Sequence, residues 1–326
     1  PSHPSAHVHG DDLDSTTGWP SFAAKNLESL LDIISWHNYG PWADDTAKTL
    51  ADRMAWTVPA YQNDVTKAKN GGTASVLTGP TGKKYGAAIT EYNIAQGDFA
   101  GFNSNYHNEV NATWVASALI NGLKSNIDLF TYYNLSESGL NHLGLLSNTD
   151  FSPYKPYFTF YLFGNYTGNQ KLNLSGGAAN VESFASKDTA TGVVYLTVVN
   201  KDSVGNAANL TVNLPGLANA AGTVKVRVVN AATVANPSAY TTIQYAASAF
   251  TYNLPPYTVA SFEITSGGGG GNTDVLFTSG FEAADIQPTW TSILDGSQNV
   301  GAYSGASFPE CAVRAESPHA GTSVLM

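Results

Sequence analysis

The chain has 326 residues, and its 25 acidic residues outweigh 15 basic ones to give a formal net charge of −10. This acidic balance argues against nucleic acid or an anionic membrane surface as a partner, because both select for clusters of lysine and arginine. Cys311 is the only cysteine, which excludes an internal disulfide and a multi-cysteine zinc site. No apolar run approaches the length of a membrane span. Low charge with many aromatic and amide side chains favours a neutral, hydroxyl-rich ligand such as a sugar, although an ordinary acidic extracellular protein has the same composition.

Residues 1–166 alternate short apolar runs with longer helical patterns, which is the rhythm of βα units. The predicted strands cover 6–9, 31–39, 85–90 and 127–133. The predicted helices cover 21–30, 44–69, 106–123 and 153–166. Three or four consecutive units of this kind are fewer than a complete (β/α)8 barrel contains.

After Gly168 the helical pattern stops, and short β-branched runs separated by turn residues take over. We predict an antiparallel β-sandwich over 167–265 with these strands: 181–184, 193–200, 209–214, 223–229, 241–245 and 259–264. A glycine-rich linker follows at 266–273, and 274–326 again has β character but is short for an independent domain. The predicted class is therefore α/β plus all-β, ending in a truncated β module similar to a jelly roll.

The stretch at 86–93 reads Gly-Ala-Ala-Ile-Thr-Glu-Tyr-Asn and places Glu91 at the end of a buried strand. In a parallel sheet, active sites form at the carboxyl ends of the strands. Glu91 is therefore the first candidate for catalysis, and a helix-capping or surface-paired glutamate is the structural alternative. Strand alternation predicts that the polar residues Ser35, His37 and Tyr39 share the inward face with Ile89 and Glu91.

Two of these strands resemble a known enzyme clan. The segment 89–93, with the Gly97-Asp98 loop that follows, resembles the strand-seven nucleophile motif of retaining (β/α)8 glycoside hydrolases, in which glutamates end strands four and seven. The local match is closest to the family forty-four endoglucanases, with looser similarity to β-xylosidases and arabinofuranosidases. Residues 35–40 (Ser-Trp-His-Asn-Tyr-Gly) resemble strand six of the clan, whose histidine and tyrosine flank the nucleophile. In these families a β-sandwich packs against the barrel, and residues 197–202 are similar to one strand of that sandwich. Residues 277–326 look like the start of a carbohydrate-binding module.

The resemblance implies that residues 1–166 are the C-terminal half of a (β/α)8 barrel. It also implies a retaining glycosidase with Glu91 as nucleophile and with Tyr39 and His37 beside it. Aromatic and amide side chains near the strand ends are then expected to bind sugar; they are Trp42, Asn93, Phe99, Tyr132 and Tyr133. For each aromatic residue, packing in the core or a loop is the alternative. We expect no cofactor and no metal, although His3, His7 and His9 with Asp11 and Asp12 form a less favoured zinc-site hypothesis.

The acid/base glutamate of the clan ends strand four, and no matching motif precedes residue 31. We therefore expect this residue upstream of the chain and expect the chain alone to be inactive. If the chain is active, Asp11, Asp12 and Asp98 are the candidates for the acid/base. The expected protein is a secreted monomer that degrades plant-type polysaccharides or oligosaccharides. The competing hypothesis is a non-catalytic carbohydrate-binding or adhesive protein built on a barrel scaffold.

Overall fold

The computed structural model describes residues 24–57, 65, 81–136, 142–178, 180–214 and 221–266. Several predictions lie outside these residues: the first strand, nearly all of the glycine linker, and the module at 274–326. The same holds for the acidic and histidine residues of the proposed zinc site and its neighbourhood, which are His3, His7, His9, Asp11 and Asp12.

The first part of the described chain contains a parallel three-stranded sheet. Its strands are β1 (Ile33–Tyr39), β2 (Gly86–Asn93) and β3 (Leu129–Phe130), in the order β1-β2-β3. The predicted strands at 31–39 and 85–90 correspond to β1 and β2, whereas β3 is much shorter than the 127–133 expected from the sequence. The parallel order places the carboxyl ends of all three strands at one edge, which is where the candidate site lies.

Among the described residues, four helices accompany this sheet: α1 (Leu50–Ala55), α2 (Ser104–His107), α3 (Glu109–Ser125) and α4 (Lys155–Asn165). Helix α1 begins later than predicted, because Thr49 caps it in a reciprocal pair with Asp52. The helix predicted at 106–123 is divided, because Asn108 is extended and its side chain caps α3 through the Val110 amide.

The second part of the chain is antiparallel throughout its described strands. These are β4 (Gln170–Leu172), β5 (Val181–Lys187), β6 (Val194–Asn200), β7 (Ala208–Asn213), β8 (Gly222–Val229), β9 (Thr241–Tyr245), β10 (Ala249–Leu254) and β11 (Thr258–Ser266). They form a six-stranded sheet, ordered β4-β5-β6-β11-β8-β9, and a two-stranded sheet of β7 and β10. The sequence prediction missed β4, which has three residues, and β10, whose alternating Phe250, Tyr252 and Leu254 are its visible signal.

Helix α3 packs against elements of both parts of the chain. Its residues from Val110 to Gly122 are buried between the parallel sheet, α4 and the six-stranded sheet. The hydrophobic core of the first part therefore extends to the second part, where four of its buried residues lie: Phe184, Val199, Val229 and Val259. A separate core fills the space between the six-stranded and two-stranded sheets. Within the described residues, none of the helices has the length and apolar character needed to cross a membrane.

Candidate active site

The pairing of β1 with β2 brings the predicted residues together through a shift in register. Trp36 lies opposite Ile89, but the next residue, His37, lies opposite Glu91. Thr90 is thus the extra residue of a β-bulge, and a bulge re-aims the side chains that follow it. The bulge corrects the prediction from strict alternation: Ile89 shares the face of Trp36, whereas Glu91 joins His37.

The carboxylate of Glu91 is held by two neighbours on β1. The phenol of Tyr39 donates a hydrogen bond of 2.8 Å to Glu91 Oε2. His37 Nδ1 lies 3.2 Å from the same oxygen, and the Glu91 side chain is 30% exposed. Because both contacts converge on Oε2, they leave Oε1 as the oxygen that can face an incoming atom.

Tyr39 is suited to act as a hydrogen-bond donor and not as a base. Burial raises the pKa of its phenol well above the usual range, and the hydrogen bond to Glu91 raises it further. The phenol therefore keeps its proton at any physiological pH. Its ring also meets His37 and Tyr133 edge to face, at centroid distances of 6.4 and 6.3 Å, which fixes its direction.

Asn93 and Tyr132 are both buried and do not face solvent. Asn93 is fully buried, and its amide donates to the carbonyl oxygens of Tyr133 and Leu143, at 2.8 and 3.2 Å. Asn111 of α3 donates to the Asn93 side chain at 3.2 Å and to the Tyr132 hydroxyl at 3.0 Å. The structure therefore does not support the prediction that Asn93 and Tyr132 bind sugar, because their polar atoms are already used inside the protein.

The other three predicted sugar-binding residues surround the strand ends. Tyr133 is half-buried beside Tyr39, whereas Trp42 and Phe99 are 58% and 38% exposed, in the loops that follow β1 and β2. Gly40 allows these loops to start close together, since a Cβ atom at this position would lie 1.9 Å from the carbonyl oxygen of Ile94.

Arg53 is a residue that sequence reasoning missed. It is buried in α1, and its guanidinium donates to the carbonyl oxygens of Pro41, Trp42 and Asp45 at 2.9, 3.0 and 3.0 Å. The guanidinium also lies 4.6 Å from the ring centroid of Phe102, in the loop after β2. Arg53 thereby connects the two loops that border the site. An arginine at a helix position gives no sign in the sequence that its partners are loop carbonyls.

In the described part of the chain, no group of three or more histidine, cysteine, aspartate or glutamate side chains has the arrangement of a metal site. The chemistry available at this edge of the sheet is that of a positioned carboxylate with a phenol and an imidazole beside it. Such a carboxylate can act as a nucleophile or as a general base.

Comparison of the sequence with models of protein families gives no match. Comparison with curated proteins gives none either.

Solved structures do match. A bifunctional glucanase-xylanase, CelM2, from a metagenome library has a TM-score of 0.52 at 19% identity over 79% of this chain and 50% of its own. A Paenibacillus polymyxa xyloglucanase of glycoside hydrolase family 44 has a TM-score of 0.56 at 17% identity, over 80% of this chain and 56% of its own. An α-L-arabinofuranosidase from Thermotoga maritima has a TM-score of 0.54 at 16% identity, over 80% and 57%.

The likeness to these structures shows the fold. The described residues share the fold of these glycoside hydrolases, which have a TIM barrel, as the sequence resemblance implied. The chain spans about half the length of each of these three proteins.

Proposed function

We propose that this chain is part of a secreted retaining glycoside hydrolase in which Glu91 is the nucleophile. One observation carries the proposal: the partly exposed Glu91 carboxylate lies at the carboxyl end of a central parallel strand and is held on one oxygen by Tyr39 and His37. A nucleophile needs this combination, because the two contacts hold the carboxylate in one orientation while the other oxygen stays accessible.

In the proposed reaction, Glu91 attacks the anomeric carbon and the bond from that carbon to the leaving-group oxygen breaks. A second carboxyl group protonates the leaving oxygen, and water then hydrolyses the glycosyl ester and releases Glu91. Tyr39 and His37 hold Glu91 in the attacking position throughout. Retention needs the two carboxyl groups about 5–5.5 Å apart. The proposal places the acid/base glutamate on a barrel strand outside the described residues.

The proposed substrate class is a plant-type polysaccharide or oligosaccharide. The similar structures are described as acting on glucan, xylan, xyloglucan or arabinofuranosides, which are all neutral sugar polymers or their branches. The exposed rings of Trp42 and Phe99 flank the candidate site, and aromatic faces suit the apolar C–H faces of sugar rings.

The decisive experiment replaces Glu91 with Gln in the longer protein that carries this chain. We expect hydrolysis of xyloglucan, xylan or aryl glycosides to fall at least roughly 10³-fold with folding unchanged, because an amide cannot form the glycosyl ester. Glu28→Gln is the matched control, since Glu28 lies before β1, where it accepts hydrogen bonds from Thr81 and Lys83. Its activity should equal that of the wild type.

A mechanism-based fluorosugar identifies the nucleophile directly. It should label the peptide that contains Glu91, as seen by a mass shift after digestion. Near-wild-type turnover of Glu91→Gln, or a label on another peptide, refutes the assignment. Binding of oligosaccharide without any turnover by the longer protein supports the alternative function of a carbohydrate-binding protein.

A further inference from the structure

The loops after β1 and β2 continue side by side beyond the candidate active site. The Gly40 amide donates to the carbonyl oxygen of Asn93 at 3.0 Å, and the Ala43 amide donates to that of Gln96 at 2.7 Å. Trp42 and Gln96 also form a parallel bridge between these contacts. The two loops therefore extend the sheet edge that carries Glu91 as one continuous surface.

A groove of about 180 Å³ opens where these loops meet α1 and α2. Its apolar walls are Leu50, Phe99 and Phe102, and its polar rim includes Asp45, Lys48 and Asn105. Pockets for drug-sized ligands measure roughly 300–1,000 Å³. The size of this groove therefore suits one small ring and not a large ligand.

Arg53 helps to form the groove, but its guanidinium is already bonded to protein atoms and presents no unpaired charge to a ligand. The guanidinium lines the groove, but its donors are directed to loop carbonyls and its face lies against Phe102. The remaining charged groups of the lining, Asp45 and Lys48, have opposite signs. Apolar walls with a hydrogen-bonding rim whose two charges have opposite signs match an uncharged ligand that has C–H faces and hydroxyl groups.

We propose that this groove binds one sugar unit of the oligosaccharide whose neighbouring units lie over Glu91. The proposal rests on the proposed function, because the occupant belongs to the same substrate chain. Gln96 is five positions after Glu91, so its backbone lies within about 17 Å of the nucleophile even if the strand is fully extended. Ala43, which lines the groove, donates a hydrogen bond to the Gln96 carbonyl oxygen, so the groove begins next to this point. A unit bound there contacts the protein away from the reacting bond, so it adds affinity for long substrates and contributes nothing to short ones.

The test measures binding to the purified chain by isothermal titration calorimetry, with cellohexaose, xylohexaose and cellobiose as probes. Phe99→Ala should weaken the better-bound hexasaccharide about tenfold, the effect of losing one aromatic stacking contact. Cellobiose binding should be unchanged. Phe151→Ala is the matched control, because Phe151 is an exposed phenylalanine outside the groove lining, and it should bind all three probes as the wild type does.

Two results overturn the proposal: binding of neither hexasaccharide by the wild-type chain, or equal hexasaccharide affinity of Phe99→Ala and the wild type. Its failure differs from failure of the proposed function. If Glu91→Gln keeps turnover in the longer protein, the nucleophile assignment fails, while selective loss of hexasaccharide binding in Phe99→Ala still supports the groove. If Glu91→Gln is inactive and Phe99→Ala binds normally, only the groove assignment is wrong.

Discussion

Replacing Lys201 with Met should destabilise the contact between the two parts of the chain, the antiparallel sheets and the parallel sheet with its helices. Lys201 Nζ lies 2.5 Å from Glu182 Oε1, and its side chain is 6% exposed. The ammonium also donates to the Met54 carbonyl at 3.0 Å and to Ser117 Oγ at 3.1 Å. The pair therefore connects the six-stranded sheet to α1 and α3.

The size of the effect follows from what remains after the substitution. Loss of one partner of a buried ion pair costs about 3–5 kcal/mol, because the other charge stays buried. Glu182 Oε2 keeps two donors, Ser117 Oγ at 2.6 Å and Asn121 Nδ2 at 2.8 Å. These donors partly stabilise the remaining carboxylate, so we expect Lys201→Met to lower the free energy of unfolding by about 3 kcal/mol. The double variant Lys201→Met, Glu182→Leu removes both charges and should cost about 1 kcal/mol or less.

Urea denaturation followed by tryptophan fluorescence measures these differences, and amide hydrogen exchange in α3 locates them. Lys225→Met is the matched control: Lys225 lies 2.7 Å from Glu263 on the same sheet, but its side chain is 34% exposed. Pairs of this exposure contribute about 0–1 kcal/mol. The reasoning is refuted if Lys201→Met costs no more than Lys225→Met, or if the double variant costs more than Lys201→Met alone.

Two further substitutions test the geometry around Glu91. Tyr39→Phe removes the single hydroxyl that donates to Glu91 Oε2. In the longer protein kcat should therefore fall roughly 10²–10³-fold, with an unchanged unfolding midpoint. A loss below about twofold would assign Tyr39 to packing. Gly40→Ala inserts a Cβ atom 1.9 Å from the Ile94 carbonyl oxygen. Because the backbone must shift to accept it, the substitution should lower the free energy of unfolding by about 1–3 kcal/mol and separate Tyr39 from Glu91. Its control is Gly164→Ala in α4, where an added Cβ meets nothing within 4 Å, and a thermal melt showing equal effects of both substitutions would contradict the close approach.

The types of the main elements could be predicted from local sequence. Three local signals are reproduced by the structure. They are the β-branched and small residues of β2, the prolines near the start of α4 and the alternating runs after Gly168. The position of Glu91 at the end of a buried strand is equally local. These features depend on near neighbours in the chain, and one sequence contains all of that information.

Other features depend on pairs of distant residues. The register of β1 against β2 includes the bulge at Thr90, and strict alternation therefore assigned Ile89 to the wrong face. Asn93 occupies a strand end, which suggested ligand binding, but α3 supplies Asn111 and buries it. The carbonyl partners of Arg53 come from a loop that folds back over α1.

The sequence by itself thus determined which residues are candidates for the chemistry and on which kind of element each one lies. Only the tertiary structure decided which of them meet. Glu91 and Tyr39 are 52 residues apart, and a hydrogen bond of 2.8 Å between them requires one particular strand register. A register shift of one residue turns a side chain to the opposite face, and the packing of the whole sheet against its helices sets that register.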